Sequence, residues 1–306
     1  MRTNILISVV GPTAIGKTAL SIKLAKAFDT EILSADSRQF YKEIPIGTAA
    51  PSKEELAAAP HHFIHNRSLE EDYSVGDYER DAIAKLEELF QKHEVVILVG
   101  GSGLYIKSLI EGLDSFPEID PGVRDRLNES LTNNGIESLQ RELKDLDPEY
   151  YDKIDPNNPH RLIRALEICI GSGKSFSSFL NKPKPVRKFK TISIGLTAPR
   201  EDIYERINLR VDSMMDEGLL EEAQGLYHKR KLNALNTVGY KELFSFFEGR
   251  IDLETAVEEI KKNSRRYAKR QMTWFRKNEE TKWFNYQTAF EEIENYIREE
   301  IREKYR

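Results

Sequence analysis

The sequence has only one cysteine, Cys169, among its 306 residues. A single cysteine excludes an internal disulfide framework and a cysteine-rich zinc site. No run reaches about 18 apolar residues, so the sequence predicts no transmembrane helix. The N-terminus has no small-residue cleavage site before its first apolar stretch, so we expect no signal peptide. These absences favour a soluble cytoplasmic protein, which we expect to be a monomer and not to bind membranes.

Charge is unevenly distributed along the chain. The formal net charge is −5. However, residues 182–190 hold five basic residues and no acidic one, and residues 261–277 hold eight basic residues and no acidic one. Such stretches in an acidic protein are typical of a surface that binds an anionic polymer, and equally of solvated charged faces on helices. Composition alone leaves both interpretations open.

The N-terminal third alternates short apolar stretches with amphipathic ones. This alternation predicts a parallel sheet with crossover helices. The predicted strands cover residues 4–10, 31–35 and 94–99, and the predicted helices cover 17–28, 75–92 and 104–111.

A phosphate-binding loop follows the first predicted strand. The segment GPTAIGKT matches G-x-x-x-x-G-K-[ST] and precedes a predicted helix, as the motif requires. Its backbone N–H groups and the helix N-terminus bind phosphate oxygens, its lysine neutralises a terminal phosphate, and its threonine hydroxyl is a ligand for Mg²⁺. Lys17 is therefore a catalytic candidate and Thr18 the candidate metal ligand. The predicted phosphate-binding residues are Gly11, Pro12, Thr13, Ala14, Ile15, Gly16, Lys17 and Thr18.

A second segment, GSGKS at 171–175, resembles the end of such a loop. It follows a predicted helix instead of a strand, and Ile168 stands where the first glycine is needed. We therefore interpret Gly171 and Gly173 as a helix C-cap and turn.

Residues from Asp120 to about 180 are predicted to be helical, and a strand pattern returns at 191–196. The last third is predicted to be helical again, over residues 200–215, 218–229, 238–247 and 253 to about 276. The sequence thus predicts an α/β fold: a P-loop NTPase-like parallel sheet flanked by helices, with an all-helical insertion domain. We assign residues 1–115 and 190–306 to a catalytic core and residues 116–189 to the insertion.

The end of the third predicted strand carries no acid. Most P-loop proteins are NTPases or small-molecule kinases, and these usually need a second acidic residue that helps to hold Mg²⁺. Here the strand runs into Gly100-Gly101-Ser102-Gly103, which weakens the NTPase hypothesis.

Asp36 directly follows the second predicted strand. The carboxyl ends of parallel strands line the ligand crevice of an open sheet, so Asp36 is expected near the phosphate loop. There it would ligate a metal, act as a general base, or simply cap the next turn. Ser102, at the end of the third strand, is a candidate hydroxyl donor into the same crevice.

Seven segments then occur in order: GPTAIGKT, ADSRQFYKEIPIGTAAP, PHHFIH, VILVGGSGLYIKSLIEGL, DPNNPHRLIRALEI, NTVGYKEL and RRYAKRQMTWFRK. Together they resemble the bacterial tRNA dimethylallyltransferases, also called tRNA isopentenyltransferases. The resemblance runs from about residue 5 to 277. The first segment is generic, whereas the segments around 36–51 and 269–276 are much more specific.

The resemblance implies transfer of a dimethylallyl group from dimethylallyl diphosphate to N6 of the adenosine 3′ to the anticodon of tRNA, with release of pyrophosphate. The loop would then hold a leaving group, which explains the missing second acid. The resemblance also implies Mg²⁺ as cofactor, Asp36 as general base, Ser102 as a contact to the reacting end, and Arg206 and Arg210 as diphosphate ligands.

The same resemblance implies a binding surface for the tRNA anticodon stem-loop. Trp274 and Phe275 lie in this region, and we expect them to pack against the core. The predicted tRNA-binding residues are Asp36, Ser37, Arg38, Gln39, Ser102, Arg124, His160, Arg161, Arg164, Arg266, Lys269 and Arg270.

Three alternatives remain at this stage. An adenylate isopentenyltransferase acting on AMP or ADP would need neither the 120–190 insertion nor the basic segment at 261–277. A P-loop small-molecule kinase is disfavoured by the missing acid. A non-catalytic RNA-binding protein would not depend on Asp36.

Overall fold

The strands of the computed structural model, which describes residues 3–304, form one sheet. They are β1 (Ile5–Val10), β2 (Ile32–Ser34), β3 (His61–His62), β4 (Val95–Val99), β5 (Lys190–Thr197) and β6 (Lys282–Asn285). Their order in the sheet is β3-β2-β4-β1-β5-β6, and every pairing is parallel. The loops that follow β1, β2 and β4 therefore leave from the same edge of the sheet.

Helices make up most of the remaining structure, with short 3₁₀ turns at 176–179, 227–229 and 233–235. The α-helices are α1 (Lys17–Ala27), α2 (Lys53–Ala58), α3 (Val75–Leu89), α4 (Gly103–Glu111), α5 (Pro121–Asn134), α6 (Ile136–Leu146), α7 (Pro148–Tyr151), α8 (Pro159–Ser172), α9 (Arg200–Asp216), α10 (Leu219–Leu226), α11 (Tyr240–Phe247), α12 (Leu253–Phe275) and α13 (Phe290–Lys304).

Strand β1 shows why the sheet is parallel and central. All six of its residues are buried, as in strands that are covered by helices on both faces. Ile5, Ile7 and Val9 pack into one core with side chains from α1, α9 and α13. Leu6 and Val10 point into the opposite core with side chains from α3 and α4. The predicted α/β sheet flanked by helices is confirmed.

The predicted boundaries mostly agree with the structure, and the differences have local reasons. The strand β3, with only two residues, and the strand β6 were not predicted. Helix α2 was also not predicted, although Ser52 and Glu55 form a capping box at its start. The predicted helix 218–229 ends its α-helical part at Leu226 and continues as a 3₁₀ turn. Gly173 does cap α8 with φ of 67°, but the prediction for Gly171 is wrong because the helix continues to Ser172.

The chain divides into two compact units. One comprises the residues up to Glu111 and those from Arg187 onward, and contains the sheet. The other comprises Gly112–Val186. The insertion assigned from the sequence has the bounds 116–189. The assigned core, 1–115 and 190–306, also includes residues 1, 2, 305 and 306, which lie outside the described residues.

The Gly112–Val186 unit has a hydrophobic core of its own. Leu139 and Leu143 of α6 pack with Leu162 and Leu166 of α8, and all four side chains are fully buried. Asp147 caps α7 by accepting the N–H of Tyr150 at 3.0 Å. Helix α8 likewise begins with Asn158 as its cap and a proline in its first turn.

Within residues 3–304, no helix is long and apolar enough to cross a membrane.

Candidate active site

The loop after β1 has the backbone shape of a phosphate-binding loop. Gly11 (φ 145°), Ala14 (φ 65°) and Gly16 (φ 106°) adopt positive φ values that favour glycine. Gly11 also lies so close to β5 that an added methyl group would be 2.7 Å from the Leu196 carbonyl oxygen. Helix α1 starts at Lys17, directly after Gly16, so its unpaired N–H groups face the loop.

Two cavities open beside this loop and meet at Asp36. The P-loop cavity, about 270 Å³, is lined by residues 13–19 together with Asp36, Gln39, Glu55, His61, Gly101 and Arg210 among others. The α12 cavity, about 540 Å³, is lined by Asp36, Ser37 and Arg38 and by parts of α9, α12 and the 236–242 segment. Thr13, Thr48, Ala49, Arg210 and Tyr267 also line both. A ligand in one cavity would therefore lie next to a ligand in the other.

Lys17 and Asp36 are the charged pair at this junction. Lys17 Nζ donates a hydrogen bond to the Pro12 carbonyl at 2.8 Å. Burial lowers the pKa of Lys17 to about 8, opposed by the charge of Asp36 and assisted by that of Arg210. Burial raises the pKa of the Asp36 carboxyl above its ordinary value, and the Arg38 N–H and the charge of Lys17 only partly oppose this rise.

Asp36 also caps its own turn. Its Oδ1 accepts the backbone N–H of Arg38 at 3.1 Å, the local bond that is typical of Asp in turns. The capping role and the placement in the cavity wall therefore coexist in one side chain.

Ser102 forms hydrogen bonds with the same turn. Its Oγ accepts the Ser37 N–H at 2.9 Å and donates to Ser37 Oγ at 3.1 Å. The linings of the two cavities include Ser37 but not Ser102. Ser102 thus contacts the turn that holds Asp36, and its predicted contact with the reacting end stays a prediction.

The predicted arginine pair divides into two roles. Arg206 Nε donates to the Ala14 carbonyl at 2.8 Å, and its guanidinium lies 5.2 Å from the centre of the Tyr286 ring. Arg210 lies 3.4 Å from Thr13 Oγ1 and lines both cavities. Burial, followed by the charge of Arg206, lowers the pKa of Arg210. Arg206 therefore contacts the backbone of the loop, whereas Arg210 lines both cavities, and a diphosphate-binding role of either stays a prediction.

One loop N–H is already bonded within the protein. The Thr13 N–H donates to Gln271 Oε1 at 2.8 Å, so of the N–H groups of residues 13–18 predicted to bind phosphate, that of Thr13 is not free to do so. Gln271 Nε2 donates to the Gly101 carbonyl at 3.0 Å. Gln271 and Tyr267 were not predicted as site residues, because α12 follows the loop by about 250 residues in sequence.

Gln39 likewise has its amide nitrogen bonded within the protein. Its Nε2 donates to the Thr48 and Ala49 carbonyls at 3.2 and 3.1 Å. Glu222 holds the same segment from the other side by accepting the N–H groups of Ile46 and Gly47. Gln39 thus fixes a loop that lines both cavities.

The basic stretch of α12 is only partly free. Arg266, Lys269 and Arg270 are exposed. Arg265 donates to Asn208, Lys262 pairs with Glu259, and the exposed Arg266 also donates to Asn263. Phe275 is buried as predicted, at 6% exposure. Trp274 packs against Gly103 but remains 40% exposed.

In the Gly112–Val186 unit, the predicted tRNA-binding side chains Arg124, His160, Arg161 and Arg164 are all exposed. Glu167, which is buried, pairs with Arg164 at 2.9 Å and with Arg124 at 3.5 Å. This carboxylate holds two of the three arginines on one face of the unit.

The chain is similar along its whole length to a known group of enzymes. The family model described as IPP transferase matches residues 39–278. The tRNA dimethylallyltransferase of Christiangramia forsetii is 64% identical, over 98% of this chain and 99% of the relative. That of Flavobacterium johnsoniae is 59% identical, over 97% and 98%.

Solved structures agree with this similarity. The tRNA isopentenylpyrophosphate transferase of Bacillus halodurans is 37% identical with a TM-score of 0.74, covering 98% of each chain. A eukaryotic dimethylallyltransferase, described as acting on tRNA, is 26% identical with a TM-score of 0.79, covering 98% of this chain and 78% of its own. These neighbours have the P-loop NTPase-like fold that was predicted. The chain therefore belongs to the IPP transferase family and is a prenyltransferase.

Proposed function

We propose that this enzyme transfers a dimethylallyl group from dimethylallyl diphosphate to N6 of the adenosine 3′ to the anticodon in tRNA, releasing pyrophosphate. The observation that carries this proposal is the junction of two cavities at Asp36. One cavity is built around a phosphate-binding loop, and the other is large and open beside a carboxylate. The names of the similar proteins supply the reaction class.

The diphosphate of the donor fits the P-loop cavity. The N–H groups of residues 14–18, the Lys17 ammonium and the Arg210 guanidinium surround it with positive charge. Pyrophosphate gains negative charge as the carbon–oxygen bond breaks, so these groups stabilise the transition state more than the ground state. Thr13 contributes its side chain and position, since its N–H is bonded to Gln271.

The adenine of the acceptor fits the α12 cavity. A base inside a stacked loop must be extruded before its exocyclic amine reaches the protein. That amine is a poor nucleophile because its lone pair is conjugated with the purine. Asp36 accepts its proton as the new C–N bond forms, and the raised pKa of Asp36 makes it a stronger base than an ordinary aspartate.

The residues of the P-loop cavity fit Mg²⁺. Thr18 and Glu55 supply oxygen atoms there, and Mg²⁺ typically binds one or two such ligands together with waters and substrate phosphates. Within residues 3–304, no cluster of three or more His, Cys, Asp or Glu could hold a metal, so the diphosphate would supply much of the coordination. When bound, Mg²⁺ supplies further positive charge against the leaving group.

The exposed cations supply affinity for the tRNA backbone. Arg266, Lys269 and Arg270 lie on α12, and Arg124, Arg161 and Arg164 lie in the Gly112–Val186 unit. Contacts of this kind with phosphates add affinity without selecting sequence. Sequence choice then comes from the bases beside the target, for which Ser37 and Arg38 in the cavity wall are the candidates.

Arg124→Gln is expected to weaken tRNA binding about three- to tenfold and to reduce the slope of log K against log [salt] by about one, because one phosphate contact is lost. Arg126→Gln, on the same exposed helix, is the matched control and is expected to bind like the wild type. Filter binding at several salt concentrations measures both slopes. If the two variants have equal slopes, Arg124 does not contact the tRNA.

The proposed reaction is tested with purified protein, dimethylallyl diphosphate, Mg²⁺ and an anticodon stem-loop that carries unmodified adenosine. We expect the RNA to gain one five-carbon prenyl unit at that adenosine. Absence of prenylated RNA under these conditions would overturn the proposal. Added AMP tests the adenylate alternative, because AMP should neither become prenylated nor compete with the stem-loop.

A further inference from the structure

Two rigid parts of the site are linked by one side chain. The first part is the phosphate loop. The second is formed by the turn after β2 and the turn after β4, which are bonded to each other. The Ser102 N–H donates to the Ala35 carbonyl at 3.2 Å, and the Ser37 N–H donates to Ser102 Oγ. Asp36 lies in this second part. The spacing between the two parts sets the distance from the donor diphosphate to the base.

Gln271 spans these two parts with its amide. Its Oε1 accepts from the Thr13 N–H at 2.8 Å, and its Nε2 donates to the Gly101 carbonyl at 3.0 Å. The side chain is only 5% exposed, so water cannot readily replace either bond. An amide is required, since one partner is a donor and the other an acceptor.

The packing at Gly101 shows how tightly this link is built. A methyl group added at Gly101 would lie 2.5 Å from Gln271 Nε2 and 3.3 Å from Asp36 Oδ2. The Gly101 backbone therefore lies close to both the Gln271 amide and the Asp36 carboxylate. A shift of the amide would be transmitted to the carboxylate or to the loop.

We propose that Gln271 is a positioning residue, which fixes the distance between the bound diphosphate and Asp36 at the value that transfer requires. This inference rests on the proposed function. Transfer needs the amine nitrogen and the allylic carbon in contact and aligned, and a displacement of about 1 Å costs about 10²-fold in rate. Gln271 lines the P-loop cavity, but its amide oxygen and nitrogen are both bonded within the protein, so we expect the affinities for the diphosphate and the tRNA to depend little on it.

Two variants test this role. Gln271→Met keeps the length but removes both hydrogen bonds, and Gln271→Asn keeps the amide but shortens its reach by one methylene. Gln224→Met, an exposed position on α10, is the matched control. The single-turnover rate at saturating donor and stem-loop is measured for each, together with the dissociation constants of inorganic pyrophosphate and of the stem-loop.

Both Gln271 variants are expected to lose about 10- to 100-fold in rate, with dissociation constants within about threefold of wild type. Gln224→Met is expected to match the wild type. A merely structural role would lower the folded fraction, which active-site titration corrects, and would leave the rate per folded enzyme unchanged. If Gln271→Met does not fold, Gln271→Asn decides alone.

Wild-type rates in the folded variants would overturn the positioning role. A loss confined to the dissociation constants would overturn it too, and would make Gln271 a substrate ligand. If the wild-type protein itself transfers no prenyl group, the proposed function fails, and this inference fails with it. If the wild type transfers and the variants match it, only the inference fails.

Discussion

Asp36→Asn is expected to lower the rate of prenyl transfer by about 10²- to 10⁴-fold, the range typical for loss of a general base. Asparagine has the same shape and still accepts the Arg38 N–H that Asp36 Oδ1 accepts at 3.1 Å, so the turn should persist. Single-turnover transfer measures the rate, and stem-loop binding should stay within about threefold of wild type. Asp72→Asn, at an exposed position, is the control.

The role of Asp36 as a base also predicts the direction in which the transfer rate changes with pH. The pKa of Asp36 is raised by burial, and only the ionised carboxylate accepts a proton. The rate should therefore fall as pH is lowered through that raised pKa, and this limb should be missing from the residual activity of Asp36→Asn. A variant with wild-type rate, or with the same acid limb, would assign the base to another group.

Asp36→Asn should lower the transfer rate but raise the stability of the folded protein. A carboxyl whose pKa is higher in the folded protein than in the unfolded chain destabilises the fold once it is ionised. Asp36→Asn is therefore expected to raise the thermal midpoint at neutral pH, and the gain should shrink as pH falls through the raised pKa. Thermal unfolding at two pH values checks this, and a gain that grows toward acid pH would contradict it.

The second large effect is expected at Lys17. Lys17→Ala should lower kcat/KM for the prenyl donor by about 10²- to 10³-fold, the effect of removing one group that stabilises developing negative charge. Lys26→Ala, at an exposed position in the last turn of the same helix, should have little effect. Steady-state kinetics with varied donor measure both. An equal effect of the two variants would contradict a role in holding the leaving group.

Lys17 also predicts an alkaline limb. Because burial lowers its pKa to about 8, the ammonium loses its proton as pH rises through that value, and the donor should then bind more weakly. In Lys17→Arg the guanidinium stays charged, so its donor KM should change little across the same pH range. A limb that persists in Lys17→Arg would belong to a different group.

Features set by short stretches of sequence could be predicted. The phosphate loop is defined by eight consecutive residues between a strand and a helix, and Asp36 by its place directly after the second predicted strand. Even the orientation of these segments follows, because parallel strands deliver their loops to one edge. The missing acid after β4 was equally visible, and it weakened the NTPase hypothesis.

Features set by distant contacts could not be predicted. Gln271 accepts a hydrogen bond from Thr13, which is 258 residues away in sequence, and no pattern near either residue predicts this bond. Arg206 and Arg210 share a helix face at i and i+4, yet only Arg210 lines the cavities. The hydrogen bond that Ser102 Oγ accepts from the Ser37 N–H at 2.9 Å joins the turns after two different strands and was not predicted.

The central claim is that the loop at Gly11–Thr18 holds the diphosphate of a prenyl donor. It is tested most directly with a donor labelled in both its prenyl group and its terminal phosphate, incubated with enzyme, Mg²⁺ and stem-loop in the absence of ATP. We expect prenyl label on N6 of the target adenosine and phosphate label in free pyrophosphate, one for one. A reaction that requires ATP, or that passes phosphate from labelled ATP to any acceptor, would contradict it.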